Sequence, residues 1–303
     1  MDQATDLREK MKAETGRVLS RAKSARDQSF PPSKCPRVIA ISSGKGGVGK
    51  TNIVGNLAVA CQRIGKKVLI FDADLGLANI DIIFGVNPAH TIEEVIKGEK
   101  ELLQIMVKGP EDVSLIPASS GVHELTNLTE GQKINLLSEF DILGNIFDLL
   151  LIDTGAGISS NVLYFNLAAD ERIVVVTPEP TSITDAYALM KVMFSQHGTK
   201  NFSLLINMVK DEKEAKSVYF SLSKVIARFM GSISLDYAGF IPWDTQLQDA
   251  VSMRQLVVCR SPRASSAESF RELARNLSLL SKDKEIDGNI TFFWRGLLSR
   301  EAE

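Results

Sequence analysis

The chain has 303 residues, of which 44% are apolar and 24% charged, the balance of an ordinary globular protein able to bury a sizeable core. A formal net charge of −2 provides no global basic field for nucleic acid, and no uncharged apolar run approaches the roughly 18 residues of a membrane span, so any membrane contact is expected to be peripheral. Cys35, Cys61 and Cys259 are scattered and form no C-x-x-C pair, which argues against a disulfide framework or zinc cluster and fits a reducing cytosol.

Residues 1–33 are charged, poor in large apolar side chains, without an apolar leader, and end in Phe30-Pro31-Pro32-Ser33. They predict a short helix and a flexible linker, with a disordered tail as the plain alternative. From Arg37 short apolar runs alternate with helix-like stretches. Strands are predicted at Val38–Ile41, Val68–Phe71, Val113–Ile116, Leu149–Ile152, Ile173–Val176, Phe202–Ile206 and Ala238–Ile241. Several are continuously apolar, as expected of strands buried on both faces of a parallel sheet. Helices are predicted at Asn52–Ile64, Ile134–Leu143, Asn161–Ala168, Ser182–Phe194, Glu214–Met230 and Ala267–Leu280. The alternation predicts an α/β fold with a doubly wound, mainly parallel sheet over residues 34–280. Residues 281–303 begin as a polar linker and end in the dense apolar stretch Ile290 to Arg300, so short N-terminal and C-terminal helical extensions flank the domain.

Between the first strand and the first helix lies Gly44-Lys45-Gly46-Gly47-Val48-Gly49-Lys50-Thr51, a match to G-x-x-x-x-G-K-[ST] in the strand–loop–helix setting that the motif requires. Its glycines let backbone N–H groups curl around phosphate oxygens, and the helix N-terminus adds free donors and a favourable dipole. Lys50 is expected to reach the β- and γ-phosphates, and Thr51 to offer its hydroxyl to Mg²⁺. Phosphoryl transfer needs charge neutralisation and a positioned water, so carboxylates at strand ends near the loop are the further candidates. These are Asp72 and Asp74, which end the second strand, and Asp153, which follows Leu149–Ile152 in the form of a Walker B. An Asp closing a buried strand can also simply cap the next turn, and Asp72 is the most open to that reading.

The loop's second lysine, Lys45, makes the motif resemble the deviant Walker A of the MinD/ParA family. The resemblance implies an ATPase in which Lys45 crosses a dimer interface to the partner's nucleotide, so that ATP holds a homodimer together. It implies that Asp153 supports Mg²⁺ through a water, Asp74 orients the attacking water and Asp72 assists near the metal. It places the nucleotide on Gly44 to Thr51 with Asn52, and puts Asn207 and Pro242 in the adenine pocket. Trp243 departs from the acidic residue common there and receives no contact.

Gly49-Lys50-Thr51-Asn52, Asp72 to Asp81 and Thr177 to Tyr187 resemble the flagellar number regulators of the FlhG (FleN or YlxH) family. Asp2-Gln3-Ala4-Thr5-Asp6-Leu7-Arg8 has that family's D-Q-A-x-x-L-R form, which implies stimulation of an FlhF-type GTPase. Gln3 would enter the partner's site, with Asp2, Ala4, Leu7 and Arg8 docking it. Near the C-terminus, Ile290, Phe293, Trp294, Leu297 and Leu298 share one helical face. Eleven residues make about 16 Å of helix, too short to span a bilayer but enough to lie in its interface. A core-docking helix has the same periodicity; the polar linker and the resemblance to MinD-type proteins favour the membrane.

The expected product is a cytoplasmic ATP-hydrolysing switch that binds the inner face of the cell membrane as an ATP dimer. It would control flagellar number through the partner GTPase and basal-body (C-ring) components. A MinD-like division-site or cargo-positioning ATPase is the alternative, against which the N-terminal motif argues. A metabolic P-loop enzyme and a non-hydrolysing scaffold are more distant readings.

Overall fold

The computed structural model describes residues 36–74, 79–117, 132, 139 and 143–280. Among them, eight strands form one sheet: β1 (Arg37–Ser43), β2 (Val68–Ala73), β3 (Val107–Lys108), β4 (Ser114–Ile116), β5 (Leu149–Ala156), β6 (Glu171–Val176), β7 (Asn201–Val209) and β8 (Ser234–Pro242). Their spatial order is β3-β4-β2-β5-β1-β6-β7-β8, parallel throughout except for the β3–β4 pair. The helices are α1 (Lys50–Arg63), α2 (Ile80–Phe84), α3 (Ile92–Ile96), α4 (Leu102–Ile105), α5 (Ser160–Ala168), α6 (Pro180–His197), α7 (Glu212–Phe229), α8 (Thr245–Ser252), α9 (Val257–Arg260) and α10 (Ser265–Leu280).

The continuous apolar runs serve two faces at once. Ile39, Ile41, Ile70 and Leu151 share a core with Val54 and Leu57 of α1 and Phe270 of α10. Their neighbours Val38, Ala40, Phe71 and Ile152 point the other way and pack with Phe165 of α5. Further along that face Val174, Val176, Leu204 and Ile206 meet Leu189 of α6 and Leu222 of α7. The central strands therefore carry almost no polar residue until their C-terminal ends, where Ser42, Ser43, Asp72, Asp153, Thr154 and Asn207 are all buried. β1 has β5 on one side and β6 on the other. The order reverses there, and the crevice beyond the strand C-termini is where such sheets hold ligands.

At the opposite end of the sheet, Arg37 makes two bonds of 2.5 Å to Glu171, at the start of β6, and one to the backbone carbonyl of Leu277 in the last turns of α10. One buried guanidinium thus ties the starts of two strands to the end of the last described helix.

All seven predicted strands form. The two-residue edge strand β3 and the short helices α2, α3, α4, α8 and α9 were not predicted, because four to eight residues show no clear period. β8 begins four residues before its predicted start, since Asp236 and Tyr237 interrupt its apolar run. The predicted helix Ile134–Leu143 lies almost wholly outside the described residues, as do both terminal extensions.

Candidate functional site

The loop from Gly44 to Gly49 is shaped by three different demands on its glycines. Gly47 and Gly49 have φ of 79° and 89°, in the left-handed region that a side chain strains. Gly44 lies against α6, where a Cβ would overlap the backbone of Asp185 and Ala186. Gly46 has open space around it, free for a ligand's close approach.

A cavity of about 1290 Å³ opens over this loop, lined on its phosphate side by Gly46, Gly47, Gly49, Lys50, Thr51 and Asn52. Asp74 from the end of β2 and Gly155 from the end of β5 form a second wall, and Asn207, Met208, Pro242 and Trp243 from the ends of β7 and β8 form a third. The volume exceeds the roughly 300–1,000 Å³ of ordinary small-molecule pockets and accommodates a nucleotide.

Lys50 is buried to 8% exposure, and that burial pushes its pKa down while Asp153 and Asp74 pull it up. A buried ammonium between two carboxylates, beside a ring of backbone donors, is a site made for a strongly anionic ligand. Asp153 is fully enclosed behind Thr51, whose hydroxyl donates to it. Its Oδ1 nevertheless has no hydrogen-bond partner, and neither has the buried Oδ1 of Asn52. An orphaned carboxylate oxygen beside a hydroxyl fits a divalent cation or its water shell, so Thr51 and Asp153 suit Mg²⁺.

Asp74 is half-buried on the cavity wall, and a Cβ on Gly155 would lie 3.5 Å from its Oδ1. Asp72 takes a different position. It is absent from the cavity wall and 1% exposed, and its carboxylate accepts from the backbone N–H groups of Asp74 at 3.2 Å and Ile80 at 3.5 Å. It clasps the two ends of the 75–78 connection, the capping role left open for it in the sequence. Asn207 lines the cavity but also holds the loop: its Nδ2 donates to the Val48 carbonyl at 2.8 Å and its Oδ1 accepts from Met208 N at 2.9 Å. One amide N–H of Asn207 remains for a ligand.

Lys45 is not on the cavity wall. Its Nζ lies 2.6 Å from Glu179 Oε2 and 3.1 Å from Thr181 Oγ1, at the start of α6. The sequence singled out the Thr177–Tyr187 segment only for resemblance. An acid and a hydroxyl within reach of a loop lysine are a signal that needs the fold to read.

Burial pushes the Asp72 carboxyl up to about 8 and that of Asp153 up to about 7; Asp153 raises Asp72 further and Asp74 raises Asp153, while Thr51 and Lys50 hold Asp153 down. An unfolded aspartate titrates near about 4. Both groups therefore bind protons more tightly when folded, and their contribution to stability is lost as pH rises from about 4 towards about 8. The ligand-free protein is expected to melt at a lower temperature at about pH 8.5 than at about pH 6. Calorimetry across that range checks this, and Asp72→Asn should flatten the slope.

The comparisons agree with this geometry. A family model, ParA, described as NUBPL iron-transfer P-loop NTPase, matches residues 34–278. Antiactivator FleN of Pseudomonas aeruginosa is 38% identical over 88% of this chain and 95% of its own. Flagellum site-determining protein YlxH of Helicobacter pylori is 36% identical over 78% of this chain and 80% of its own. The structure of the septum site-determining protein MinD complexed with Mg-ADP, from Pyrococcus horikoshii, matches with a TM-score of 0.64 at 25% identity, over 82% of this chain and 98% of that one. The chain belongs to the ParA family of P-loop NTPases and is of the MinD/ParA type, with FleN and YlxH among its relatives.

Proposed function

We propose that this chain is an ATP-hydrolysing dimerisation switch that works at the membrane surface to regulate flagellar number and placement. One observation carries the reading. The loop holds two lysines, and only Lys50 serves its own cavity; Lys45 points away to an exposed ion pair with Glu179. An exposed pair of this kind is worth little, so exchanging it for a partner's phosphate costs little.

In the dimer Lys45 leaves Glu179 for the nucleotide of the second copy. Backbone N–H groups of the loop and the Lys50 ammonium hold the β- and γ-phosphates. Thr51 and, through a water, Asp153 would hold Mg²⁺, which would supply charge neutralisation. Asp74 accepts a hydrogen bond from the water that attacks the γ-phosphorus and aims it in line with the bond to ADP. Gly155, against Asp74, lets the end of β5 adjust when phosphate leaves.

The flagellar output rests on the FleN and YlxH relatives and on the D-Q-A-x-x-L-R segment at Asp2 to Arg8. Gln3, with Asp2, Ala4, Leu7 and Arg8, stimulates an FlhF-type GTPase, and C-ring components are the other partners. Ile290, Phe293, Trp294, Leu297 and Leu298 bind the membrane in the ATP state. No helix among the described residues is long and apolar enough to cross a membrane. Removing residues 1–10 should abolish stimulation of the partner GTPase and leave this chain's own ATP turnover unchanged. A steady-state GTPase assay checks it; surviving stimulation would remove the N-terminal assignment.

A further inference from the structure

The far end of the cavity is built differently from the phosphate end. With the γ-phosphate set at Asp74, as proposed above, the base of a nucleotide on Gly46 to Thr51 would fall on the wall formed by Asn207, Met208, Pro242 and Trp243. Most of Asn207's hydrogen-bonding capacity is already spent on Val48 and Met208. Beside it Met208, Pro242 and Trp243 offer apolar and aromatic surface, while Asp244, Gln248, Ser252 and Arg254 add polar groups to the same cavity.

Trp243 is the largest part of that apolar and aromatic surface. The residue is 56% exposed although its backbone is fixed on both sides. Trp243 N donates to the Val209 carbonyl at 2.7 Å. The next residue, Asp244, accepts from Gln246 N, Ser265 Oγ, and both the N and Oγ of Ser266, at 2.8–3.1 Å. The ring is thus held out over a cavity by a rigid backbone and is not carried on a loose loop. A large aromatic surface in that setting gains most from a flat, apolar-faced ligand. Met208, 37% exposed and at φ 60° in the register shift between β7 and β8, lines the same wall.

We propose that Trp243 stacks on the nucleotide's base, with Met208 beside it. The inference rests on the nucleotide-binding reading and adds the residue that recognises the base. Stacking reads the π-face and not the edge, so Trp243 favours purines over smaller rings without separating adenine from guanine.

The chain has two tryptophans, so Trp294→Phe leaves Trp243 as the sole indole reporter. In that background Mg-ADP should quench the fluorescence and tripolyphosphate, which has no base, should not. By calorimetry Trp243→Ala should weaken ADP about tenfold, Trp243→Phe should recover most of the loss, and neither should change tripolyphosphate binding. Unchanged ADP affinity in Trp243→Ala would overturn the proposal. So would a fluorescence response to ATP that ADP does not give, which would assign Trp243 to the contact between two copies. Failure of both ADP and tripolyphosphate to bind the parent chain would instead remove the nucleotide reading, and this inference with it.

Discussion

Asp74→Ala is expected to lower ATP turnover by about 10²-fold or more while leaving nucleotide affinity intact. The side chain lies on the cavity wall, and the local backbone is held without it: Asp74 N donates to Asp72 Oδ1, and Asp72 N–H and C=O belong to β2. Truncation therefore removes one carboxylate and little else. A negative group near phosphates does nothing for ground-state binding, so its loss should leave ATP bound as tightly or slightly tighter. In the mechanism proposed above its value lies in aiming a water, an interaction realised only as the γ-phosphoryl group transfers. Single-turnover phosphate release, beside calorimetric titration with ATP, checks both halves. Normal turnover would remove Asp74 from the mechanism.

Gly44→Ala should be as damaging for a different reason. A Cβ at Gly44 would fall within the backbone of Asp185 and Ala186, and neither side yields readily. α6 is an 18-residue helix whose Ala186, Leu189 and Met190 are fully buried, and Gly44 follows directly on the buried strand β1. The overlap should cost about 3 kcal/mol or more of stability, or push the loop off its course so that ADP no longer binds. Gly46→Ala is the matched control. Nothing lies within 4 Å of a Cβ there and its φ is not in the left-handed region, so fold stability should change by less than about 0.5 kcal/mol. Urea denaturation of the two ligand-free variants separates them. Equal stability would show that the close approach to α6 does not constrain the loop.

The fold was legible wherever one physical signal dominated. Val38–Ile41 and Leu149–Ile152 are buried on both faces, so their apolar runs mark them without ambiguity. The edge strand β3 is half exposed and two residues long, and leaves no such mark. Among the short helices α3 carried a usable signature, the Thr91–Glu94 capping box, in which Thr91 N donates to Glu94 at 2.6 Å, and α8 another, its N-cap Asp244. The site divides in the same way. The loop motif singles out Lys50 and Thr51, because phosphate chemistry demands those residue types at that spacing, and both line the cavity. Asp72 and Asp74 are two residues apart and look equivalent in sequence, yet β2 ends at Ala73, which leaves Asp72 buried inside the sheet and Asp74 beyond it on the cavity wall. Glu179, 134 residues from Lys45, is brought to it only by the β1–β6 pairing and the start of α6.

ATP, and not ADP, is expected to join two copies of this chain through Lys45. The most direct test is the mass in solution of Asp74→Ala, which should hold ATP without consuming it, measured by light scattering in Mg-ATP and in Mg-ADP. The expected result is a dimer in ATP, a monomer in ADP, and a monomer in both once Lys45→Ala is added. One mass in both nucleotides, or an ATP dimer that survives the loss of Lys45, would contradict it.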